Sequence, residues 1–277
     1  MITFNATNYH KLKPETSMKL NIRMTVPLLA GVVLFYAACK KAENEPAASS
    51  STSDAISATI ATNLVQSLSG TYGGASIKDG VNKSATISAA SPKLKLQTTI
   101  HCGFFIDNGL DVNFNQGDSI KTHTTGSVNY FFLCDSATNR TTGYNLLDSL
   151  SSAGKGPGYD FSFLLVQDYK VRGLNLANSN FTLNGRLKSW VDFDYKLKSK
   201  SSISVHNVFH LTDLEIHADD NFDIVGGDAT FESKGTTSNG AWDYSGSIHF
   251  LGNHKAKLTF LSKVYLIDLL TGSVTPV

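Results

Sequence analysis

An alternating run of oxygen-bearing side chains lies near position 220, where Asp219, Asn221 and Asp223 occupy every second place. Carboxylate and amide oxygens are the ligands that Ca²⁺ prefers in proteins. The EF-hand pattern needs Gly at its sixth position and an acidic residue at its twelfth, but Ile224 and Thr230 stand there. The run therefore predicts a loose calcium site at most, and a polar turn is the favoured interpretation.

Two histidines, His206 and His210, are four residues apart in a segment that alternates between polar and apolar side chains. On a strand this spacing puts both on one face, with their side chains about 13 Å apart. One zinc ion cannot bridge that distance, because Zn–N bonds are about 2 Å long. We therefore predict exposed histidines and no metal site there.

Motifs of common enzyme classes are absent from the sequence, which contains no GxSxG, HExxH or CxxC. The Gly-Lys in residues 151–160 lacks the P-loop spacing, and we interpret this segment as a loop. Asp192 and Asp194 share the outer face of a predicted strand, where solvated acids are common. A glycosidase also needs two carboxylates, but their separation in space decides the chemistry. No catalytic residue and no cofactor is predicted.

Two cysteines, Cys102 and Cys134, each fall on the apolar face of a predicted strand. In an exported protein such a pair is expected to form a disulfide. Closing this loop would stabilise the fold by about 3–4 kcal/mol in the chain-entropy model. Two separate buried thiols are the alternative. A nucleophile beside His101 is disfavoured, because adjacent residues in a strand point to opposite faces.

An uncharged run of 15 residues separates Arg23 from the remaining cysteine, Cys39, which is the first in the chain. A membrane-spanning helix needs about 20 residues, whereas the apolar core of a signal peptide needs about 7–15 after a basic segment. Starting at Met18 gives MKLNIR and then this run. We therefore predict a signal peptide over residues 18–38, with residues 1–17 as excess in the gene model.

The run ends in Tyr36-Ala37-Ala38-Cys39, which resembles the lipobox of bacterial lipoproteins although Tyr36 stands where Leu is usual. The resemblance covers residues 18–39. It implies that Cys39 is acylated and holds the protein to a membrane on the periplasmic side or cell surface of a diderm envelope, for instance at the outer membrane. A secreted protein with an incidental Cys39, or a short membrane anchor, are the alternatives.

The segment after the signal is polar and Ser-rich over residues 39–53, which predicts a flexible tether. Without residues 1–38 the chain has 20 basic and 22 acidic residues and a net charge of −2. Such a near-neutral balance disfavours nucleic acid as a partner.

An apolar stripe at helical period follows the tether, with Ile56, Ile60 and Leu64 four residues apart. Ser53 is a plausible N-cap and Gly70 a plausible C-terminal stop. Because the opposite face carries no basic residues, we expect this helix to contact the domain rather than a membrane.

Most of the remaining chain alternates or runs apolar over strand lengths, punctuated by Gly, Asn, Asp and Ser. We predict a mainly β domain over residues 54–277. It would be a single antiparallel β sandwich or a strongly curved sheet, with the N-terminal amphipathic helix packed on it. At the level of fold this arrangement resembles half-barrel lipoprotein carriers. The predicted strands are Ser127–Cys134, Tyr159–Val166, Trp190–Leu197, Ser202–Phe209 and Lys255–Leu261.

The register of one hairpin follows from its sequence. A three-residue loop at residues 252–254 pairs Phe250 with Ala256 and puts all apolar side chains on one face, whereas a two-residue loop mixes the faces. With longer strands this register would also bring Trp242 opposite Val264.

A binding role is the function that we favour: a lipid-anchored envelope protein, not an enzyme, with a glycan or envelope protein as its partner. Trp190 and Trp242 could stack on sugars or lie in the core. A glycan-directed hydrolase with a carboxylate pair, and a carrier of an apolar ligand, are the alternatives.

Overall fold

The computed structural model describes residues 53–79, 103, 105–117, 120–138, 140–174, 180–196, 201–238 and 240–277, and assigns strand positions 87–88 and 95–96. The signal, residues 39–52 of the predicted tether (Cys39 among them) and Cys102 lie outside these residues. Within them, one helix, α1 (Ser53–Leu68), precedes a series of antiparallel strands.

Thirteen strands are assigned in the described part of the chain. In order they are β1 (Ile87–Ser88), β2 (Lys95–Leu96), β3 (Phe105–Asn115), β4 (Lys121–Asp135), β5 (Arg140–Gly156), β6 (Tyr159–Arg172), β7 (Asn180–Tyr195), β8 (Ser201–His217), β9 (Asp223–Thr237), β10 (Gly240–Gly252), β11 (Lys255–Phe260), β12 (Lys263–Asp268) and β13 (Val274–Pro276).

The strands β3 to β13 form one eleven-stranded sheet in which every strand pairs with its neighbour in the chain. All of these pairings are antiparallel, and β1 pairs with β2 separately. The predicted antiparallel β class is confirmed. Of the two predicted architectures, the single sheet is present and the sandwich is wrong, because no second large sheet occurs among the described strands.

Neighbouring positions of α1 contact strands that are far apart in sheet order. A Cβ on Gly272, between β12 and β13, would lie 3.1 Å from the Thr62 Cα. Ser189 of β7 donates a hydrogen bond to the Asn63 side-chain oxygen at 2.5 Å. In a flat sheet β7 and β12 would lie about 24 Å apart, but a helix with its side chains is about 10–12 Å wide. The sheet therefore curls around α1, and we call the side facing the helix the inner face.

Strict alternation puts the core on this inner face. In β4, Val128, Tyr130 and Phe132 are buried, while Phe131 between them is 45% exposed. The Tyr130 and Tyr144 rings lie 5.4 Å apart, and both belong to one hydrophobic cluster that extends from α1 to β12. The predicted helix stripe takes part in that cluster, since Ile56, Ile60 and Leu64 are all buried. Tyr265 on β12 also donates a hydrogen bond to the Asp54 carboxylate at 2.9 Å.

Several strands are longer than the sequence predicts. Residues 151–156, part of the segment interpreted above as a loop, belong to β5: residues 151–155 pair with both β4 and β6, and Gly156 pairs with Tyr159 of β6. That interpretation is wrong because pairing on both sides compensates for a Gly- and Ser-rich sequence.

The register of the β10–β11 hairpin is confirmed, with Phe250 opposite Ala256. Its loop is shorter than predicted: Asn253 and His254 turn with positive φ, and an irregularity before Gly252 restores the register. Trp242 does not face Val264, because β11 ends at Phe260 and Val264 pairs with Thr259.

Candidate functional site

A row of polar side chains crosses the inner face of the sheet. Ser189, Asn207 and Ser233 are direct cross-strand partners on β7, β8 and β9, and all three are fully buried. The Ser189 hydroxyl donates to Asn63 of α1, and the Trp242 indole N–H donates to the Ser233 hydroxyl at 3.1 Å. Each serine thus has a hydrogen-bond partner elsewhere, Ser189 on α1 and Ser233 on β10, and Asn207 lies between the two serines.

The Asn207 amide is the unusual member of this row. Neither its Nδ2 nor its Oδ1 has a hydrogen-bond partner among the described residues. Leaving a buried polar atom unsatisfied costs about 1–3 kcal/mol. The Ser67 hydroxyl on α1 is buried and unsatisfied in the same sense. A ligand that both donates and accepts hydrogen bonds could satisfy the Asn207 amide.

Towards one end of the strands the inner face changes from buried to half-buried. We call Tyr159, Phe161, Phe193 and Tyr195, which lie there on β6 and β7, the aromatic margin. The Tyr159 and Phe193 rings stack with centroids 5.2 Å apart. These side chains leave apolar surface exposed on the same face as the buried Asn207.

Tyr72 connects the covered part of the inner face to this half-buried end. It follows α1 in the chain, and its ring lies 5.0 Å from that of Phe163, the next inward residue of β6 after Phe161. Burial raises the pKa of Tyr72, and the Asn63 side chain partly offsets the effect. The Tyr72 hydroxyl therefore stays protonated and neutral.

The segment after α1 is held on the inner face by two buried side chains. The Ala75 backbone N–H donates to both the Asp148 carboxylate and the Gln167 carbonyl, each at 2.8 Å. The Gln167 amide donates in turn to the backbone oxygens of Ser67 and Ala75. A Cβ on Gly74 would lie 2.3 Å from Leu165, so this segment contacts the sheet closely. Residues 69–79 are thus packed against the inner face of the sheet.

Two buried carboxylates, Asp79 and Asp148, bear on the hydrolase alternative. Burial raises the pKa of Asp79 to about 6, a hydrogen bond from the Ser76 backbone N–H opposes this, and the charge of Asp148 adds to it. A raised pKa is what a general acid needs. Asp148, however, accepts the backbone N–H of Ala75, Asp79 accepts that of Ser76, and both carboxylates are at most 6% exposed. This arrangement fixes a loop and gives the hydrolase alternative no support.

The exposed acids predicted above lie where expected: Asp192 and Asp194 are both on the outer face of β7. His206 and His210 likewise share the outer face of β8.

The calcium candidate residues have separate roles in the structure. The buried Asp223 carboxylate accepts the backbone N–H groups of Asn253 and His254 at 2.6 and 2.8 Å. The Asn221 side chain accepts from Lys78 at 3.2 Å, and Asp219 is exposed. No group of three His, Cys, Asp or Glu side chains in the described ranges could hold a metal ion. The alternating Asp219, Asn221 and Asp223 therefore belong to a polar turn, in which Asp223 also binds the β10–β11 turn.

Cys134 is exposed at the end of β4, next to an irregular pairing with β5. The sequence places it on the apolar face of its strand, but the register with β5 shifts between Leu133 and Cys134, and the side chain is exposed. Since Cys102 and Cys39 lie outside the described residues, the disulfide and the acylation stay predictions.

The two tryptophans differ in environment. Trp242 is buried over Gly235, where a Cβ would lie 2.1 Å from the indole ring, whereas Trp190 is 41% exposed on the outer face. The sequence analysis left open, for each tryptophan, whether it lies in the core or stacks on sugars. Sequence reasoning also missed Asn207, although a polar residue at an inward position between Val205 and Phe209 is a recognisable signal.

No protein-family model, curated protein or solved structure matches this chain. The helix of the described part is not long and apolar enough to cross a bilayer.

Proposed function

We propose that this chain is a lipid-anchored envelope protein that binds a small amphipathic molecule on the inner face of its sheet and does not transform it. The observation that carries this proposal is the unsatisfied Asn207 amide on the same face as the aromatic margin. The lipobox-like stretch before Cys39 supports the envelope location. The proposal joins the predicted binding role to the apolar-carrier alternative.

The polar group of the ligand is uncharged in this proposal. Among the described residues, the buried polar side chains include no Lys, Arg or His, and they include Asp79 and Asp148. An anion beside Asn207 would therefore be buried without a compensating charge, which is costly. A carboxamide fits better, because it donates to the Asn207 Oδ1 and accepts from the Nδ2.

The apolar part of the ligand would extend along β7 and β8. Ser189 and Asn207 are cross-strand partners, and Phe193 and Ile203 are partners four residues further towards the aromatic margin. Four residues of strand span about 13 Å. A medium-length alkyl chain with its amide at Asn207 would cover this distance and reach the aromatic rings.

Competition against a fluorescent apolar probe tests this proposal. The purified protein is loaded with N-phenyl-1-naphthylamine, and decanamide, decanoic acid at pH 8 and decane are titrated against it. We expect decanamide to displace the probe at concentrations at least about tenfold lower than decanoate. In Asn207→Leu this preference should be lost while the probe still binds, because only the amide-recognising group is removed.

The matched control is Asn113→Leu, which makes the same change at an exposed position of β3. It should bind like the wild type. Equal displacement by decanamide and decanoate in the wild type, or an unchanged preference in Asn207→Leu, would overturn the proposal. Asn207→Leu also removes an unsatisfied polar group, so the variant is expected to fold.

The location is tested separately with a Cys39→Ala variant expressed from Met18 in a diderm host. We expect the wild type to partition into detergent with a mass that includes acyl chains on Cys39, and the variant to lack them. If the two proteins have the same unacylated mass, the lipoprotein part of the proposal fails and the binding part is unaffected.

A further inference from the structure

Trp190 is a large aromatic residue exposed in the middle of the outer face. Its neighbour Ser189 points to the inner face, so the indole projects outward, and it is 41% exposed. The cross-strand residue His206 holds the indole from one side, with ring centroids 5.3 Å apart and planes inclined by 30°. An indole that is both positioned and exposed is a suitable surface for stacking.

A set of hydrogen-bonding groups lies beside the indole. Asp192, two residues along β7 on the same face, accepts hydrogen bonds from the Ser204 hydroxyl at 2.7 Å and the Ser162 hydroxyl at 3.2 Å. The His206 Nε2 lies 3.8 Å from the same carboxylate. A carboxylate offers about four lone-pair sites. Two acceptor sites thus remain on a side chain whose orientation is already fixed by its neighbours.

From this geometry we infer a binding site for a neutral pyranose oligosaccharide at Trp190, Asp192 and His206. One face of a pyranose ring presents C–H groups, which gain dispersion and hydrophobic contact against an indole. Its equatorial hydroxyls lie at the ring edge, where Asp192 can accept and His206 can exchange hydrogen bonds. Residues two apart on one face of a strand are about 7 Å apart, so one sugar unit reaches both Trp190 and Asp192.

The charges around the site favour a neutral ligand. Lys188 and Asp192 flank Trp190 on the same face of β7 with opposite charges, and Lys234, the cross-strand partner of His206, forms an ion pair with Asp243 at 2.9 Å, so these charges balance. An exposed Trp is also a common anchor for protein partners. The two serine hydroxyls that orient Asp192 favour hydroxyl recognition instead. This inference does not depend on the inner-face ligand, since the two sites lie on opposite faces of the sheet.

Intrinsic fluorescence gives a direct test, because the chain has two tryptophans and Trp242 is buried. The purified protein is titrated with cellohexaose and with chitohexaose, whose equatorial linkages leave flat C–H faces. We expect a saturable change in the emission of Trp190 and its protection from acrylamide quenching. Isothermal titration calorimetry compares the variants, because replacing Trp190 removes the fluorescent indole. Trp190→Ala should weaken binding by at least about tenfold, and Trp190→Phe should restore most of it.

Asp192→Asn should weaken binding several-fold, and Asp194→Asn is its matched control on the same strand and face. Far-ultraviolet circular dichroism checks that each variant is folded, as expected for exposed positions. Absence of a saturable response to either oligosaccharide would overturn the inference. So would wild-type affinity in Trp190→Ala, or equal effects of Asp192→Asn and Asp194→Asn. A response to added envelope proteins with none to sugars would also contradict it.

Discussion

Replacing Asp79 by Asn should change how the stability of the protein depends on pH. The Asp79 side chain is 6% exposed and accepts the Ser76 backbone N–H at 2.8 Å, and its backbone oxygen accepts from the buried Tyr144 hydroxyl. Burial raises the pKa of this carboxyl to about 6 from 3.8. The folded chain therefore binds the Asp79 proton more tightly than the unfolded chain does.

The sign and size of the effect follow from linkage. The stabilisation from this proton is fully present below pH 3.8 and is lost as the pH rises through about 6. A pKa difference of about two corresponds to about 3 kcal/mol, since each unit is 1.36 kcal/mol. Asn is neutral at every pH and can still accept the Ser76 N–H. Asp79→Asn should thus match the wild type near pH 4 and exceed its free energy of unfolding by up to about 3 kcal/mol at pH 7.

Urea unfolding at several pH values between 4 and 7, followed by circular dichroism, measures this difference. The exposed Asp219 provides the control, because Asp219→Asn makes the same chemical change at a carboxyl that is not buried. Its profile should run parallel to that of the wild type. Parallel profiles for Asp79→Asn and the wild type, or a wild-type advantage that grows with pH, would show that the Asp79 carboxyl does not hold its proton in the folded state.

Further predictions concern packing, the β10–β11 turn and the disulfide. Gly235→Val should lower the free energy of unfolding by about 1–3 kcal/mol and shift the emission of Trp242, because even a Cβ would lie 2.1 Å from the indole; an unchanged spectrum would contradict the contact. Asp223→Ala should cost about 2–4 kcal/mol and speed hydrogen exchange in the turn that it anchors; unchanged exchange there would argue against the anchor. Cys102 and Cys134 should resist alkylation until reduced, and their joint replacement by Ala should cost about 3–4 kcal/mol; two thiols that react without reduction would exclude the disulfide.

The helix and the β10–β11 register could be predicted because each depends on a short, regular pattern. Ile56, Ile60 and Leu64 repeat at helical period, and a one-residue slip at Phe250 would bury lysines. Strand lengths could not be predicted in the same way. Residues 151–156 have weak strand propensity, and their extended form depends on pairing with β4 and β6.

The candidate sites were less accessible to sequence reasoning, because they combine residues distant in the chain. Asn63 and Ser189 are 126 residues apart, and Ala75 and Gln167 are 92 apart. Inward polar residues such as Asn207 weaken an apolar pattern, so they are easily interpreted as interruptions. The different environments of Trp190 and Trp242 depend on which side of the sheet the helix covers, which the alternation alone does not specify.

The order of the strands has a consequence for folding. Since each strand of the large sheet pairs with its immediate neighbour in the chain, nearly every ladder closes a short loop. Closing a short loop costs little conformational entropy, and a low contact order is associated with fast folding. The sheet can therefore grow hairpin by hairpin as the chain becomes available.

The helix is the exception to this local order. Asp54 accepts a hydrogen bond from Tyr265, 211 residues later, and Ser53 accepts one from Lys263. Although α1 precedes every strand of the large sheet, its native contacts with β12 need nearly the whole chain to be present. Completion of the core is therefore coupled to the last strands, and a chain truncated before β12 would lack the side chains that bind Ser53 and Asp54 at the start of α1, together with the buried Tyr265 and Ile267.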